Sequence, residues 1–175
     1  MDNKLHVYTG EGKGKTTAAM GLALRSLGHG NRVLVAQFMK NGISGELKAL
    51  QRFENAHILT APPMKKFVFR MSESEKEEAK REQSEFAARL LSEITSFKPQ
   101  LCVFDEVNVA LKYGMLEEEG AKQLILTALE FSEVACTGRD APRWLTDMAD
   151  YVSRIQAEKH PFTSEGLSAR KGVEW

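Results

Sequence analysis

A glycine-rich segment near the start of the chain places the strongest constraint on the fold. Thr9 to Thr17 alternates glycine with charged residues and contains the triplet Gly14-Lys15-Thr16. The segment lies between a short apolar run and a helical pattern. Glycines let a backbone curl until several N–H groups point inward, and the start of a helix adds partial positive charge. In this strand-to-helix context the segment predicts a phosphate-binding loop.

The residue types in this loop suit a nucleoside triphosphate that carries a divalent cation. Lys15 can place its ammonium group against phosphate oxygens, and Thr16 can offer its hydroxyl to Mg²⁺. The usual pattern starts with glycine, whereas Thr9 stands at that position here. The alternative is a glycine-rich turn with unrelated lysines. The predicted nucleotide-binding set is Gly10, Glu11, Gly12, Lys13, Gly14, Lys15, Thr16 and Thr17.

Short apolar runs alternate with helical patterns along the whole chain. The predicted strands are Leu5–Tyr8, Val33–Phe38, His57–Leu59, Leu101–Phe104, Val134–Cys136 and Tyr151–Ile155. The predicted helices are Lys15–Leu27, Gly45–Phe53, Ser72–Phe97, Glu117–Phe131 and Pro142–Met148. Short apolar strands separated by helices indicate a mostly parallel sheet with helices on both faces. We expect a single-domain α/β fold of the phosphate-loop NTPase type over residues 1–175.

Composition narrows the classes of partner. The chain has 175 residues, 42% of them hydrophobic, and equal numbers of basic and acidic residues, 24 of each. This balance argues against a dedicated nucleic-acid binder, which is usually strongly basic. The polar N-terminus predicts no signal segment, and no apolar run approaches the ~18 residues that a membrane span needs. Cys102 and Cys136 lie in apolar runs and are expected to be buried thiols. We expect a cytoplasmic protein with no nucleic-acid or membrane partner.

Two adjacent acids follow the fourth predicted strand. Asp105 and Glu106 come directly after four apolar residues. In open parallel sheets, ligands bind outside the carboxyl ends of the strands. Mg²⁺ prefers oxygen ligands and often takes only one or two carboxylates from the protein. Acids at a strand end can also be merely solvated, but the glycine loop favours a metal site. We expect Glu106 to bind Mg²⁺ directly or through water, and Asp105 to position its shell.

Further polar residues flank other strand ends, and we expect them to converge on one crevice. Each is weak evidence alone, because a lone polar residue is more often structural. They are Gln37, Lys40, Thr137, Arg139, Asp150, Lys159 and His160.

On these motifs the chain resembles the phosphate-loop type of ATP:corrinoid adenosyltransferase. The similarity runs from residue 4 to the C-terminus. A shortened loop with alternating glycines is itself typical of that family, so Thr9 supports the resemblance. The stretches that carry it are Gly10 to Ala19, Val35 to Lys40, Phe104 to Asn108, Thr137 to Arg139, Ala149 to Asp150, Lys159 to Phe162 and Gly172 to Trp175.

The resemblance implies a reaction and its participants. A Co(I) corrinoid would attack the 5′-carbon of ATP, giving the adenosylated corrinoid and triphosphate. The Co(I) nucleophile has no proton to lose, so no catalytic general base is expected. The resemblance also implies ATP as co-substrate, Mg²⁺, an electron-donating reductase that supplies Co(I), and a homodimer.

The resemblance also implies roles for particular residues. The loop would hold the triphosphate, with Thr16 and Glu106 on Mg²⁺ and with Arg25 and Arg139 near the nucleotide. Asn108 would lie on the corrinoid side or be structural.

A pair of aromatic residues precedes the long predicted helix. Phe67 and Phe69 match a Phe-Thr-Trp arrangement of the family, except that Phe69 replaces the Trp. The pair would crowd the lower face of the corrin and keep the lower ligand off cobalt, which makes Co(I) easier to reach. The alternative is a pair of core or packing aromatics. Arg154, where the family often has an acid, is a further departure that bears on substrate preference.

Two other functions remain open at this stage. One is a small-molecule kinase or ATPase, and the other is a non-catalytic, nucleotide-gated binding protein. A kinase usually has a mobile lid with arginines. The stretch from Pro62 to Arg70 contains one arginine and two aromatics, which favours a flat apolar ligand over a phosphoacceptor.

Overall fold

A parallel sheet forms the centre of the fold. The computed structural model describes residues 3–40, 44–64 and 66–173, and within them six strands pair in the order β3-β2-β4-β5-β1-β6, all parallel. The strands are β1 (Leu5–Thr9), β2 (Val33–Gln37), β3 (Ala56–Thr60), β4 (Leu101–Asp105), β5 (Glu133–Thr137) and β6 (Tyr151–Arg154). All six predicted strands are confirmed, and so is the α/β class.

Helices connect the strands and cover both faces of the sheet. They are α1 (Lys15–Gly28), α2 (Gly45–Leu50), α3 (Glu73–Phe97), α4 (Val107–Lys112), α5 (Glu118–Leu129), α6 (Arg143–Met148) and α7 (Pro161–Glu165). The five predicted helices are confirmed, whereas α4, α7 and a 3-10 turn at Val68–Arg70 were not predicted. These three elements have at most six residues, too few to show a helical period in the sequence. No helix in the described ranges is both long and apolar enough to cross a membrane.

Residues that alternate along the central strands build two separate cores. On β2, Val33 and Val35 pack with α1 and α2, while Leu34 and Ala36 face the core formed with α3 and α5. All five residues of β2 and of β4 are buried. Burial on both faces explains why these strands are continuous apolar runs instead of alternating ones.

The segment after β6 lies against the glycine loop. The Ile155 N–H donates to the Thr9 carbonyl at 2.8 Å, and the Gly12 N–H donates to the Ile155 carbonyl at 2.9 Å. A Cβ on Gly10 would lie 2.4 Å from the Ile155 oxygen, and one on Gly12 would lie 2.7 Å from the Gln156 carbonyl. Two of the loop glycines are therefore required by the close approach of another backbone segment.

The space around two glycines predicts opposite effects on stability when each is changed to alanine. Gly12→Ala should destabilise the protein by about 1–3 kcal/mol, because the new methyl group overlaps the Gln156 backbone. Gly21→Ala, in the interior of α1 with open space around it, should stabilise by about 0.4–1 kcal/mol. Urea unfolding of both variants measures the difference. An unchanged midpoint for Gly12→Ala would contradict the close packing.

Candidate functional site

The glycine loop opens into a cavity at the carboxyl edge of the sheet. The cavity has a volume of about 770 Å³, within the usual range for small-molecule sites. Every predicted loop residue from Glu11 to Thr17 lines it. Arg139, which follows β5, also lines the cavity and forms an ion pair with the loop residue Glu11 at 3.2 Å. The structure therefore brings the loop and Arg139 to one site.

The loop holds the ammonium group of Lys15 in its curve. The Lys15 Nζ donates to the carbonyls of Gly10 and Gly12, each at 2.7 Å. Burial lowers the pKa of Lys15, and the positive charge of Arg139 lowers it further. The ammonium is thus already positioned beside the loop, where an anion would find it.

A buried carboxylate lies beneath the loop and links four elements. Asp105, at the end of β4, has no solvent exposure. Its four hydrogen-bond donors are Thr16 Oγ1 at 2.8 Å, Thr137 Oγ1 at 2.6 Å, Gln37 Nε2 at 2.8 Å and Lys40 Nζ at 2.8 Å. Burial tends to raise the pKa of Asp105, but the charge of Lys40 and these hydrogen bonds lower it overall.

Glu106 lies beside this carboxylate but extends into the cavity. It precedes α4 and has a left-handed backbone with φ 61°, an uncommon conformation for a residue with a side chain. Its N–H donates to Thr137 Oγ1 at 3.1 Å, and its carboxylate lies 3.5 Å from the Lys40 ammonium. Burial raises the pKa of Glu106, and the nearby charge of Asp105 adds to that rise.

These oxygen atoms suit a magnesium ion that arrives with a phosphate chain. Thr16 gives its one hydroxyl hydrogen to Asp105, so the lone pairs of its oxygen can face a cation. Among the described residues, no group of three or more His, Cys, Asp or Glu side chains could hold a metal ion. Mg²⁺ typically takes one or two carboxylates and completes its shell with waters and substrate phosphates. Thr16, Glu106 and Asp105 fit that role.

A second, apolar cavity adjoins the first. It has a volume of about 670 Å³ and is lined largely by Met39, Met64, Phe67, Val68, Phe69, Val109 and Tyr113. Five residues line both cavities, so the two form one continuous space. The shared residues are Lys40, Phe67, Glu106, Val109 and Tyr113.

The two predicted aromatics form a stacked pair at this apolar cavity. The rings of Phe67 and Phe69 are 5.5 Å apart between centroids and 10° from parallel. They are 69% and 72% exposed, so the core alternative is wrong. The Arg70 guanidinium lies 5.6 Å from the centre of the Phe69 ring. The pair therefore presents a broad apolar surface to the cavity.

The N-terminus of α3 anchors the aromatic segment. Ser72 and Glu75 form a capping box, and Lys66 bonds to Glu75 at 2.6 Å. The hydrogen bonds from Lys66 and from the Ser72 backbone hold the pKa of Glu75 at about 2. Because Lys66 directly precedes Phe67, the cap also restrains the aromatic pair.

Asn108, Arg25 and Asp150 are among the predicted residues that line neither cavity. Asn108 is fully buried and donates to the carbonyls of Gly138 at 3.0 Å and Tyr8 at 3.4 Å, the contacts of a structural residue. Arg25 is exposed on α1, where its charge opposes the rise that burial causes in the pKa of Tyr8. Asp150 accepts from the Leu5 N–H at 2.9 Å.

The expectation that Asp150 shares the crevice is therefore wrong. Asp150 precedes β6 and pairs with the start of β1, and in a parallel sheet strand starts and strand ends lie at opposite edges. Gln37, Lys40, Thr137, Arg139 and His160 do meet around the glycine loop.

Sequence reasoning missed several residues that line the site. Val109, Lys112 and Tyr113 belong to α4 or its end and line the cavity beside the glycine loop. They were missed because α4 itself was not predicted. The sequence indicates Gln37 and Thr137 only as polar residues at strand ends, whereas their hydrogen bonds to Asp105 give them a role in the site.

Comparison with known proteins supports the resemblance. A sequence model of the family described as ATP:corrinoid adenosyltransferase BtuR/CobO/CobP matches residues 2–175. A corrinoid adenosyltransferase of Pseudomonas aeruginosa is 35% identical over 98% of this chain and 83% of its own length. A corrinoid adenosyltransferase of Escherichia coli K12 is 32% identical over 97% of this chain and 84% of its own length. This protein therefore belongs to the ATP:corrinoid adenosyltransferase family and is a transferase.

Proposed function

We propose that the protein transfers the 5′-deoxyadenosyl group of ATP to the Co(I) centre of a corrinoid and releases triphosphate. The observation that carries this proposal is the continuity of the two cavities. A glycine loop suited to a triphosphate opens directly into an apolar space faced by two stacked rings. A flat apolar co-substrate could therefore meet the nucleotide within one site.

The step needs no general base. A cobalt–carbon bond forms with the electron pair of Co(I), and the bond from C5′ to the triphosphate oxygen breaks and leaves its pair on that oxygen. The protein must neutralise the leaving triphosphate and align the two reactants. The loop N–H groups and Lys15 would bind the phosphates. Thr16 and Glu106 would hold Mg²⁺, with Asp105 behind them, and the bound ion would supply further positive charge.

The aromatic pair would face the corrinoid. Phe67 and Phe69 are exposed, stacked and held beside the cavity by the α3 cap. We propose that they pack against the lower corrin face and keep the lower ligand away from cobalt. An axial ligand stabilises the higher oxidation states, so its removal would favour Co(I).

The electron that makes Co(I) would come from a separate reductase. Burial raises the pKa of Cys102 to about 12 and also raises the pKa of Cys136, so neither thiol is present as a reactive thiolate. We also propose that residues 1–175 act as one domain, in the cytoplasm, as a homodimer. The edge strand β6, which carries the exposed residues Tyr151 and Val152, has an unpaired edge that a second copy could cover.

Product analysis tests the reaction itself. The protein is incubated with ATP, Mg²⁺ and a chemically reduced corrinoid, and the expected products are a light-sensitive cobalt–carbon compound and triphosphate. ADP in place of triphosphate would identify a kinase or ATPase. ATP binding without any product would indicate a nucleotide-gated binding protein.

Lys15→Ala should weaken ATP binding about tenfold to a hundredfold. The expected loss is that of a charged hydrogen bond, ~1.5–3 kcal/mol. Isothermal titration with ATP and Mg²⁺ measures it. Lys48→Ala, exposed on α2, is the matched control and should bind as the unchanged protein does. Equal affinities for all three proteins would refute the phosphate-loop assignment.

The double change Phe67→Ala and Phe69→Ala should spare stability and ATP affinity. Both rings are largely exposed, so the melting temperature should stay near that of the unchanged protein. Adenosylation that starts from Co(II) corrinoid should fall strongly, whereas the rate with corrinoid already reduced to Co(I) should largely recover. Leu126→Ala, 55% exposed on α5, is the control for loss of an exposed apolar side chain.

The ratio of the two rates decides the role of the pair. Equal losses with Co(II) and with Co(I) corrinoid would leave only a general positioning role. A collapsed melting temperature would mean that the rings support the fold.

A further inference from the structure

One lysine lies among the oxygen atoms proposed to hold the metal ion. The Lys40 Nζ is 2.8 Å from Asp105 Oδ2, 3.2 Å from Thr16 Oγ1 and 3.5 Å from Glu106 Oε1. The Lys40 ammonium is surrounded by the same three side chains that suit Mg²⁺.

The hydrogen-bond directions show that Lys40 and a metal ion would use the same acceptor atoms. The Thr16 hydroxyl has one hydrogen, which it gives to Asp105 Oδ1 at 2.8 Å. The Thr16 oxygen therefore receives the Lys40 ammonium through a lone pair, the same kind of lone pair that a metal ion would use. On Asp105, Lys40 shares Oδ2 with Gln37. Lys40 thus uses acceptor sites that a cation at this position would need.

The backbone directs Lys40 to this place. The Phe38 N–H donates to the Asp105 carbonyl at 2.9 Å, which continues the β2–β4 pairing past the end of β2. Met39 then adopts a left-handed conformation with φ 58°, and its N–H donates to Gln83 at 3.3 Å. This turn brings Lys40 over the two carboxylates.

Charge prevents both cations from sharing the position. An ammonium and a divalent ion at the same three oxygens would repel each other strongly in a partly buried site. Lys40 lines both cavities, so its side chain has open space on the side of the apolar cavity. Moving the ammonium there would release Thr16, Asp105 and Glu106 to the ion.

We propose that Lys40 holds the metal position as a built-in counter-ion and gives it up when the metal–triphosphate complex binds. The inference rests on the proposed metal site of the preceding section. Lys40 acts here as a positioning residue: it offsets one of the two carboxylate charges and keeps free divalent ions out. The ion then enters together with the nucleotide, and the displaced ammonium moves to the boundary of the second cavity.

The proposal is tested by measuring the binding of Mn²⁺ to the full chain. Electron paramagnetic resonance monitors the binding, and neither nucleotide nor corrinoid is present. Lys40→Met should bind Mn²⁺ more tightly than the unchanged protein, by between about ten- and a hundredfold, because a competing charge is removed. Adding Glu106→Gln to that variant should abolish the gain. Lys48→Met, on the surface of α2, should show no gain.

Two results would overturn the proposal. The first is equal Mn²⁺ affinity of Lys40→Met and the unchanged protein, and the second is a gain that survives Glu106→Gln. If Lys40→Met fails to fold, Lys40→Gln carries the test, because its amide can still donate to Asp105 without a charge. The melting curve of each variant shows which one to use.

ATP titration separates displacement from direct phosphate binding. If Lys40 leaves the metal position, Lys40→Met should bind Mn²⁺–ATP at least as tightly as the unchanged protein, and its affinity for metal-free ATP should fall. A loss of Mn²⁺–ATP affinity as large as that of Lys15→Ala would mean that Lys40 binds phosphate and would overturn the exchange. No corrinoid is present, so failure of adenosyl transfer would leave these results intact.

Discussion

The site depends on the buried carboxylate of Asp105. Four donors hydrogen-bond to it, and the Lys40 ammonium among them offsets its charge. They come from β5, from the start of α1 and from the end of β2 with the turn that follows. An ionised carboxylate with no exposure would be very costly without such partners. Because the partners come from separate elements, the carboxylate fixes the glycine loop relative to the strand ends. It also leaves Glu106, the next residue, free to extend into the cavity.

A second constraint acts on the other side of the loop. The backbone after β6 hydrogen-bonds to Thr9 and Gly12 and leaves no room for side chains at Gly10 and Gly12. Thr9 itself is buried, and its hydroxyl accepts from the Ala141 N–H at 3.2 Å, so a side chain is useful where other phosphate loops have glycine. The unusual loop sequence thus follows from its neighbours in the sheet.

The sequence predicted strands and helices correctly where several neighbouring residues followed the same pattern. The apolar strands and the capping box at Ser72 and Glu75 were found with bounds close to those observed, since burial and capping act locally. The helix α4 was missed because six residues give no period. The expectation for Asp150 failed because a residue before a strand lies at the opposite edge from one after it. The alternative that Phe67 lies in the core is wrong. The sequence could not exclude it, because a pair of aromatic residues looks the same in a sequence whether it is buried or exposed.

The amino-acid sequence by itself determined the strand–helix order, the glycine loop and the acids that follow β4, because each rests on residues adjacent in the chain. Only the tertiary structure decided which polar residues meet. It turned Asn108 inward, joined the cavity beside the glycine loop to the apolar one, and placed the Lys40 ammonium between Thr16, Asp105 and Glu106. These contacts join residues as many as 100 positions apart, as between Asn108 and Tyr8, so they depend on the strand order, which no local pattern encodes.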